Sequence, residues 1–226
     1  MGLFNKIHRW EQGLHASYDN LPDTPEGNKK STFYMNWLDH AILRTFWTNL
    51  AEVVPGVWRG NHPTPKRWES LKEMGIKTVL NLRADSTKPF YQTEVRICER
   101  LGFELVTVSL SARAAPEKER LFRLIEVFRT IDKPFFMHCK SGADRTGLAS
   151  AIYLLVIEGR SLDEARQMLS PKFLHFKSTK TGVLDAVLDE YEKTGGDFED
   201  WLRNVYDRDA LQASFNAAYN ARKGRK

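Results

Sequence analysis

From residue 57 to residue 158 the apolar positions switch repeatedly between a two-residue rhythm and a helical one. Val57-Trp58-Arg59 reads as a short strand, and residues 64–74 carry a helical spacing that stops at Gly75. Residues 76–82 read as a strand, 91–101 as a helix ended by Gly102, and 103–108 as a strand. Pro116 opens a helix that runs to about residue 130, proline being favoured in a first turn. Phe135-Phe136-Met137-His138 is a short buried strand behind Pro134, and residues 143–158 form a helix ended by Gly159. This alternation predicts an α/β fold: a mostly parallel central sheet flanked by helices, with extra N- and C-terminal helices. The rest reads as helical over 161–169, with Ser161 as cap, then 182–193, 198–206 and 208–221. Upstream, residues 1–31 are polar and turn-rich, and a helix is predicted over 32–53 with Ser31 as cap and Pro55-Gly56 as stop. Its Phe33, Tyr34, Trp37, Phe46 and Trp47 predict an apolar face packed on the core. The alternative, an interfacial membrane anchor, is disfavoured because Asp39, Arg44 and Glu52 do not build a strongly cationic polar face. The expected division is a helical extension over 1–54, a core over 55–170 and a helical part packed on it over 171–226.

Composition narrows the class. The 226 residues are 42% hydrophobic and 28% charged, which excludes disorder as the reading of the whole chain. The longest near-continuous apolar run, 148–157, is about half of what a membrane span needs. Two cysteines, Cys98 and Cys139, exclude a disulfide scaffold and a cysteine-rich zinc site and suit a reducing compartment. Lysine and arginine number 34 against 29 acidic residues, a net charge of +5 that permits an anionic partner. There is no basic stripe or reading motif for nucleic acid. The opening MGLFNK lacks an apolar stretch behind it, and Lys6 stands where a myristoylation motif at Gly2 wants Ser or Thr. The basic residues over 221–226 read as a solvated end. The expected setting is cytoplasmic, with no membrane span.

One segment carries chemistry: His138-Cys139-Lys140-Ser141-Gly142-Ala143-Asp144-Arg145-Thr146-Gly147, where a strand runs through a tight loop into a helix. A cysteine facing a helix N-terminus meets unpaired N–H groups and the positive end of the dipole, both of which favour thiolate. The same amides make a concavity for a phosphate dianion. Gly142 lets the backbone curl, and Arg145 offers a planar fork for two phosphoryl oxygens. Thr146 can donate to the sulfur, and His138 can fix the loop. The arrangement suits nucleophilic attack on phosphorus with neither metal nor other cofactor. A chance occurrence of this pattern in a chain of this length is about one in a million.

These residues resemble the signature loop of the cysteine-dependent protein tyrosine phosphatase superfamily. The segments Val57-Trp58-Arg59…Pro63 and 75–83 look most like its dual-specificity and atypical branch. The resemblance covers about residues 57–169 and leaves the helical ends unexplained. It implies a parallel-sheet phosphatase domain, with Cys139 as nucleophile and Arg145 as phosphate and transition-state clamp. Lys140, Ser141, Gly142, Ala143, Asp144 and Arg145 would bind phosphate. The implied partner is a phosphorylated protein or other anionic phosphoester. Tyrosine-directed or dual-specificity protein phosphatase is the leading reading; an inositol-phosphate or phosphoinositide phosphatase and a phosphate-binding pseudophosphatase are the alternatives.

The chain departs from that pattern at the general acid. The superfamily usually places an Asp about thirty residues before the cysteine, and residues 109–117 contain none. Asp144, Glu117 and Asp85 are the carboxylates left. An Asp before the signature arginine is the assigned acid in myotubularin-like lipid phosphatases, which favours Asp144. Arg83 could brace the loop or form a plain salt bridge. Cys98 reads as core, Asn61 and His62 as turn residues. Lys172, His175, Lys177 and Lys180 form a basic cluster that could line an entrance or simply face solvent.

Overall fold

The computed structural model of the chain describes residues 13–14, 16–39, 44, 46–83 and 87–224. Five strands form one sheet: β1 (Ala51–Val54), β2 (Val57–Asn61), β3 (Thr78–Asn81), β4 (Glu104–Thr107) and β5 (Phe135–Cys139). Their spatial order is β1-β2-β5-β3-β4, with β1 and β2 antiparallel and every other neighbouring pair parallel. The fold is the α/β class that the alternation predicts.

β5 lies at the centre, and its two-residue period sorts its side chains. Phe135, Met137 and Cys139 face the larger core with Leu121, Leu124, Ile125, Leu148 and Ile152. Phe136 and His138 face the other side, where Phe136 packs with Trp68, Val79 and Cys98 and His138 meets the Trp68 ring. Helices α2 (Pro65–Glu73) and α3 (Pro89–Leu101) carry that second cluster. Helices α4 (Lys118–Thr130), α5 (Asp144–Ile152), α6 (Leu162–Arg166), α7 (Val183–Thr194) and α8 (Phe198–Asn204) close the first face. Helix α9 (Arg208–Lys223) contributes Leu211 to it. Each large apolar side chain fully buried here contributes about 1.5–3 kcal/mol, so a doubly covered central strand is a firm base for a loop at its end.

The predicted helix over 32–53 is corrected. A helix runs earlier, α1 (Pro25–Phe33), capped by Thr24, whose side chain accepts from the Gly27 amide at 3.1 Å. Ser31 is buried inside it and caps nothing. A π-turn follows over Tyr34–Leu38. Residues 51–54 are not helical: Val53 and Val54 are β-branched and pair as an edge strand. Pro55-Gly56 is the two-residue turn of the β1–β2 hairpin, with Gly56 at φ +80°. The aromatic set does not share one buried face. Tyr34 is buried with Met35 and Phe90, while Phe33, Trp37 and Phe46 are exposed. The helix expected over 143–158 is α5 followed by a π-turn, Tyr153–Ile157. Ser161 forms the capping box of α6 with Glu164. No helix among the described residues is long and apolar enough to cross a membrane. Gly2, Lys6, Asp85 and the last two basic residues lie outside the described residues.

Candidate active site

The β5–α5 connection is a loop from Cys139 to Asp144 that rests against β2, with Asn61 in register with Cys139. The close approach demands glycine at 142. Its φ is +71°, and a Cβ there would lie 2.5 Å from the carbonyl carbon of Gly60 and 2.6 Å from the Asn61 nitrogen. Buried Arg59 donates to the Gly142 carbonyl at 2.6 Å and to the Met168 carbonyl at 2.9 Å, and its guanidinium stacks on Phe173. Asn49 Nδ2 donates to the carbonyls of Ser141 and Phe173. With those carbonyls tied back, the loop's amides are left to face inward.

Cys139 sits at the base of the loop. Burial pushes its thiol up, but the Arg145 guanidinium, the Thr146 hydroxyl and the backbone N–H groups of Thr146 and Gly142 outweigh it. The thiol is held below its ordinary value. Thr146 Oγ1 is buried and has no other hydrogen-bond partner among the described residues, which leaves it for the sulfur. The Ala143 amide leans on Ser141 Oγ at 3.4 Å.

His138 is fixed from behind. Its Nε2 lies 2.7 Å from Glu94 Oε1 on α3, and Glu94 Oε2 accepts from Asn81 at 2.9 Å. His62 stands edge-on to His138, 3.7 Å from Glu94, and burial followed by the charges around it keeps its ring neutral. His62, Glu94 and His138 have the donor chemistry of a metal site and lie within 4.8 Å of one another. They do not fit one: both carboxylate oxygens are committed to hydrogen bonds, and Arg44 and Arg83 add positive charge close by. We read Glu94, His138 and Asn81 as a hydrogen-bonded brace, with the His62 ring packed against it.

Above the loop opens a cleft of about 670 Å³, lined among others by Arg44, Trp47, Arg113, Lys140, Asp144 and Arg145. Buried Asp39 organises its cationic wall. Arg83 grips it with both Nη atoms, at 3.1 and 2.7 Å, while Arg44 Nη2 and Lys140 Nζ lie at 2.9 and 3.3 Å. Burial would raise the Asp39 carboxyl, and Arg83, Lys140 and Arg44 hold it at about 2 instead. Among the described residues, Arg83 thus bears on the loop through Asp39 and Lys140, as part of a largely buried ion-pair group.

Asp85 lies outside the described residues; of the other two carboxylates considered in the sequence, Asp144 lines the cleft, and it is the only acid among the described lining residues. Glu117 is exposed beside Arg120 in a separate hollow with Arg208. The basic cluster of 172–180 separates. Lys177 pairs with Asp189 at 2.8 Å, Lys172 is exposed, and Lys180 shares a hollow with Arg113 and Asp144. His175 is buried and turned toward Asp144.

Arg59, Glu94 and Asp39 escaped the sequence reading because the partners that tie them to the site, the Gly142 carbonyl, His138 and Arg83, are 83, 44 and 44 residues away. A charged residue directly after two apolar ones in a predicted strand, as Arg59 is, was the one available signal.

Comparison with known proteins agrees with this geometry. Residues 47–183 match the family model described as DSP-PTPase phosphatase fused to NAD+ kinase. A protein of Oryza sativa subsp. japonica named Probable NAD kinase 2, chloroplastic is 25% identical over 189 residues. The match takes in 81% of this chain but 19% of that protein, so this chain spans under a fifth of it. Inositol diphosphatase DSP3 of Arabidopsis thaliana is 20% identical over 154 residues, 66% of this chain and 63% of its own length. The crystal structure of P. aeruginosa TpbA in complex with pTyr superposes with a TM-score of 0.51 at 19% identity, covering 74% of this chain and 89% of that one. That likeness is one of fold. The family match runs from Trp47 at the cleft, through the cysteine loop, to the start of α7. The chain belongs to the cysteine-dependent protein tyrosine phosphatase superfamily, in its dual-specificity branch, within the family of DSP-PTPase domains fused to NAD+ kinase.

Proposed function

We propose that this domain is a metal-independent phosphomonoesterase that works through a phosphocysteine intermediate. The observation that carries the reading is a cysteine thiol held below its ordinary value by Arg145 and loop amides, at the base of an open cationic cleft. Cys139 Sγ attacks phosphorus as the P–O ester bond breaks, and the leaving oxygen takes a proton. Water then attacks the phosphorus, the S–P bond breaks, and the electron pair returns to the sulfur. Arg145 and the loop amides balance the charge on the transferring phosphoryl group. Lys140, Ser141, Gly142 and Ala143 form the cradle. Because thiolate and guanidinium already supply nucleophile and charge, EDTA is expected to leave turnover of an aryl phosphate unchanged; loss of activity restored by a divalent cation overturns the metal-independent reading.

Asp144 is the general acid in this scheme, because no other described carboxylate lines the cleft. Asp144→Asn is expected to lower the rate on an alkyl phosphate by roughly 10²–10⁴-fold, the usual worth of acid–base catalysis. An aryl phosphate with a good leaving group needs no proton and loses far less. Equal losses on both substrates assign Asp144 to holding the loop. Glu117→Gln is the matched control.

A phosphorylated protein is the leading substrate reading: Trp47 and Leu110 give the cleft apolar flanks next to the phosphate cradle. A second reading, an inositol phosphate, is favoured by Arg44, Arg113 and Lys140, which offer charge for further phosphates beside Arg145. Parallel kcat/KM values on phosphopeptides and on inositol phosphates decide between them.

A further inference from the structure

His175 is enclosed between two acids. Only 1% of it is exposed, in the segment between the 3₁₀ turn Pro171–Phe173 and α7. Its Nδ1 lies 2.8 Å from Asp144 Oδ1, and its Nε2 lies 2.7 Å from Asp185 Oδ2 on α7. Ionised carboxylates only accept hydrogen bonds. Two such contacts need a hydrogen on each ring nitrogen, so the chain Asp144–His175–Asp185 stores one proton more than a neutral imidazole would hold. Asp185 is 6% exposed and closes one end of the chain, while Asp144 opens the other end into the cleft next to Arg145. The stored proton therefore has one exit toward substrate.

We propose that His175 is a positioning residue that loads Asp144 with the proton delivered to the leaving oxygen. The proposal rests on the reading of Asp144 as the acid. As the P–O bond breaks, its electron pair stays on the leaving oxygen, which takes a proton from Asp144. Asp144 receives that proton from His175 Nδ1 in the same motion and is left ionised as it began, and the ring, now neutral, keeps its Nε2–H on Asp185. In the second step the attacking water gives a proton to Asp144 and thence to Nδ1 as the S–P bond opens, which restores the starting state. The sum is ester plus water to alcohol plus phosphate.

The charges around the ring favour this store. Burial opposes the imidazolium, but Asp144 on α5 and Asp185 on α7 raise its value to about 9. Lys177 is taken up by Asp189, and Arg113 and Lys180 stand around the Asp144 end of the chain. An isolated aspartic acid, titrating near 3.9, would carry a proton in fewer than about one molecule in a thousand at pH 7. A group raised to about 9 is protonated below that pH and is lost as the pH rises through it. The alkyl-phosphate rate thus holds up to that limb, and the limb belongs to the coupled group, not to one atom.

The test is the pH profile of kcat/KM on an alkyl and an activated aryl phosphate, for the wild type, His175→Asn, Asp185→Asn and Asp144→Asn. Asn at 175 can still place an N–H where Nδ1 stands, but it stores no proton. The expected result is that His175→Asn moves the basic limb of the alkyl profile down by at least about two pH units. At pH 7.5 its loss is then at least about tenfold greater on the alkyl than on the aryl phosphate. Asp185→Asn moves the limb the same way by a smaller step. An unmoved alkyl limb in His175→Asn, or equal losses on both substrates, overturns the proposal while Asp144 stands as acid. Absence of a leaving-group effect in Asp144→Asn overturns the acid reading, and this proposal with it. Should His175→Asn fail to fold, imidazole ¹⁵N shifts of His175 in the wild type decide: protonation of both ring nitrogens at pH 8 supports the store, and a neutral ring at pH 7 overturns it.

Discussion

Cys139→Ser is expected to lower turnover of an aryl phosphate by about 10⁴-fold or more, while phosphate or tungstate still binds. The influences that hold the thiol below its ordinary value are a guanidinium, a hydroxyl and two amides. They suffice for a thiol, whose ordinary value is 9.0, and fall far short for an alcohol. Ser fits the same space, and the loop's shape does not depend on the sulfur. Gly142 against Gly60, the Arg59 bond to the Gly142 carbonyl and the Asn49 bond to the Ser141 carbonyl all remain. Calorimetric titration with tungstate should therefore show binding within a fewfold of wild type. A variant that keeps near-wild-type turnover, with contamination excluded, removes Cys139 from the mechanism. One that loses binding as well shows that the sulfur shapes the cradle.

Arg145→Lys is expected to cost roughly 10²–10³-fold in kcat/KM although the charge is preserved. The fork gives two parallel N–H bonds in one plane, and an ammonium supplies a single point of charge. Two measurements separate that geometry from electrostatics. The rate of Cys139 alkylation by iodoacetamide against pH reports the thiolate, and Lys should leave it near the wild-type profile. Turnover reports the clamp and should collapse. If Lys restores turnover, charge alone is what Arg145 contributes. If it raises the pH at which Cys139 alkylates, part of the loss belongs to the nucleophile.

The cysteine loop was legible because its parts are consecutive. Strand end, glycine, arginine and threonine sit within nine residues, and each has a local physical reason. What the chain did not reveal are the groups that hold the loop from a distance. Asp39 gathers Arg44, Arg83 and Lys140, and the sequence shows only scattered charges. His175 looked like one member of a basic run, yet its neighbours in space are two acids from other helices. The misplaced helix over 32–53 has a different cause. Short apolar runs such as Ala51–Val54 have no period long enough to separate strand from helix, and Pro-Gly punctuates both. Only the partner strand β2, supplied by the following residues, decides it.

Cys98 lies in the cluster of Trp68, Val79 and Phe136, on the opposite face of the sheet from Cys139. Burial, aided by Glu94 and Glu99, pushes its thiol up and keeps it protonated. These 226 residues contain no third cysteine. The lowered thiol that the proposed mechanism turns on phosphorus also exposes Cys139 to peroxide, which would oxidise it to a sulfenic acid. With its one fellow thiol behind the sheet, an oxidised Cys139 has no resolving partner in this stretch of chain. Its recovery then falls to external thiols small enough to enter the cleft: the first displaces water from the sulfenic acid to form a mixed disulfide, and a second opens that bond, so that the two leave joined as a disulfide and Cys139 returns to thiolate.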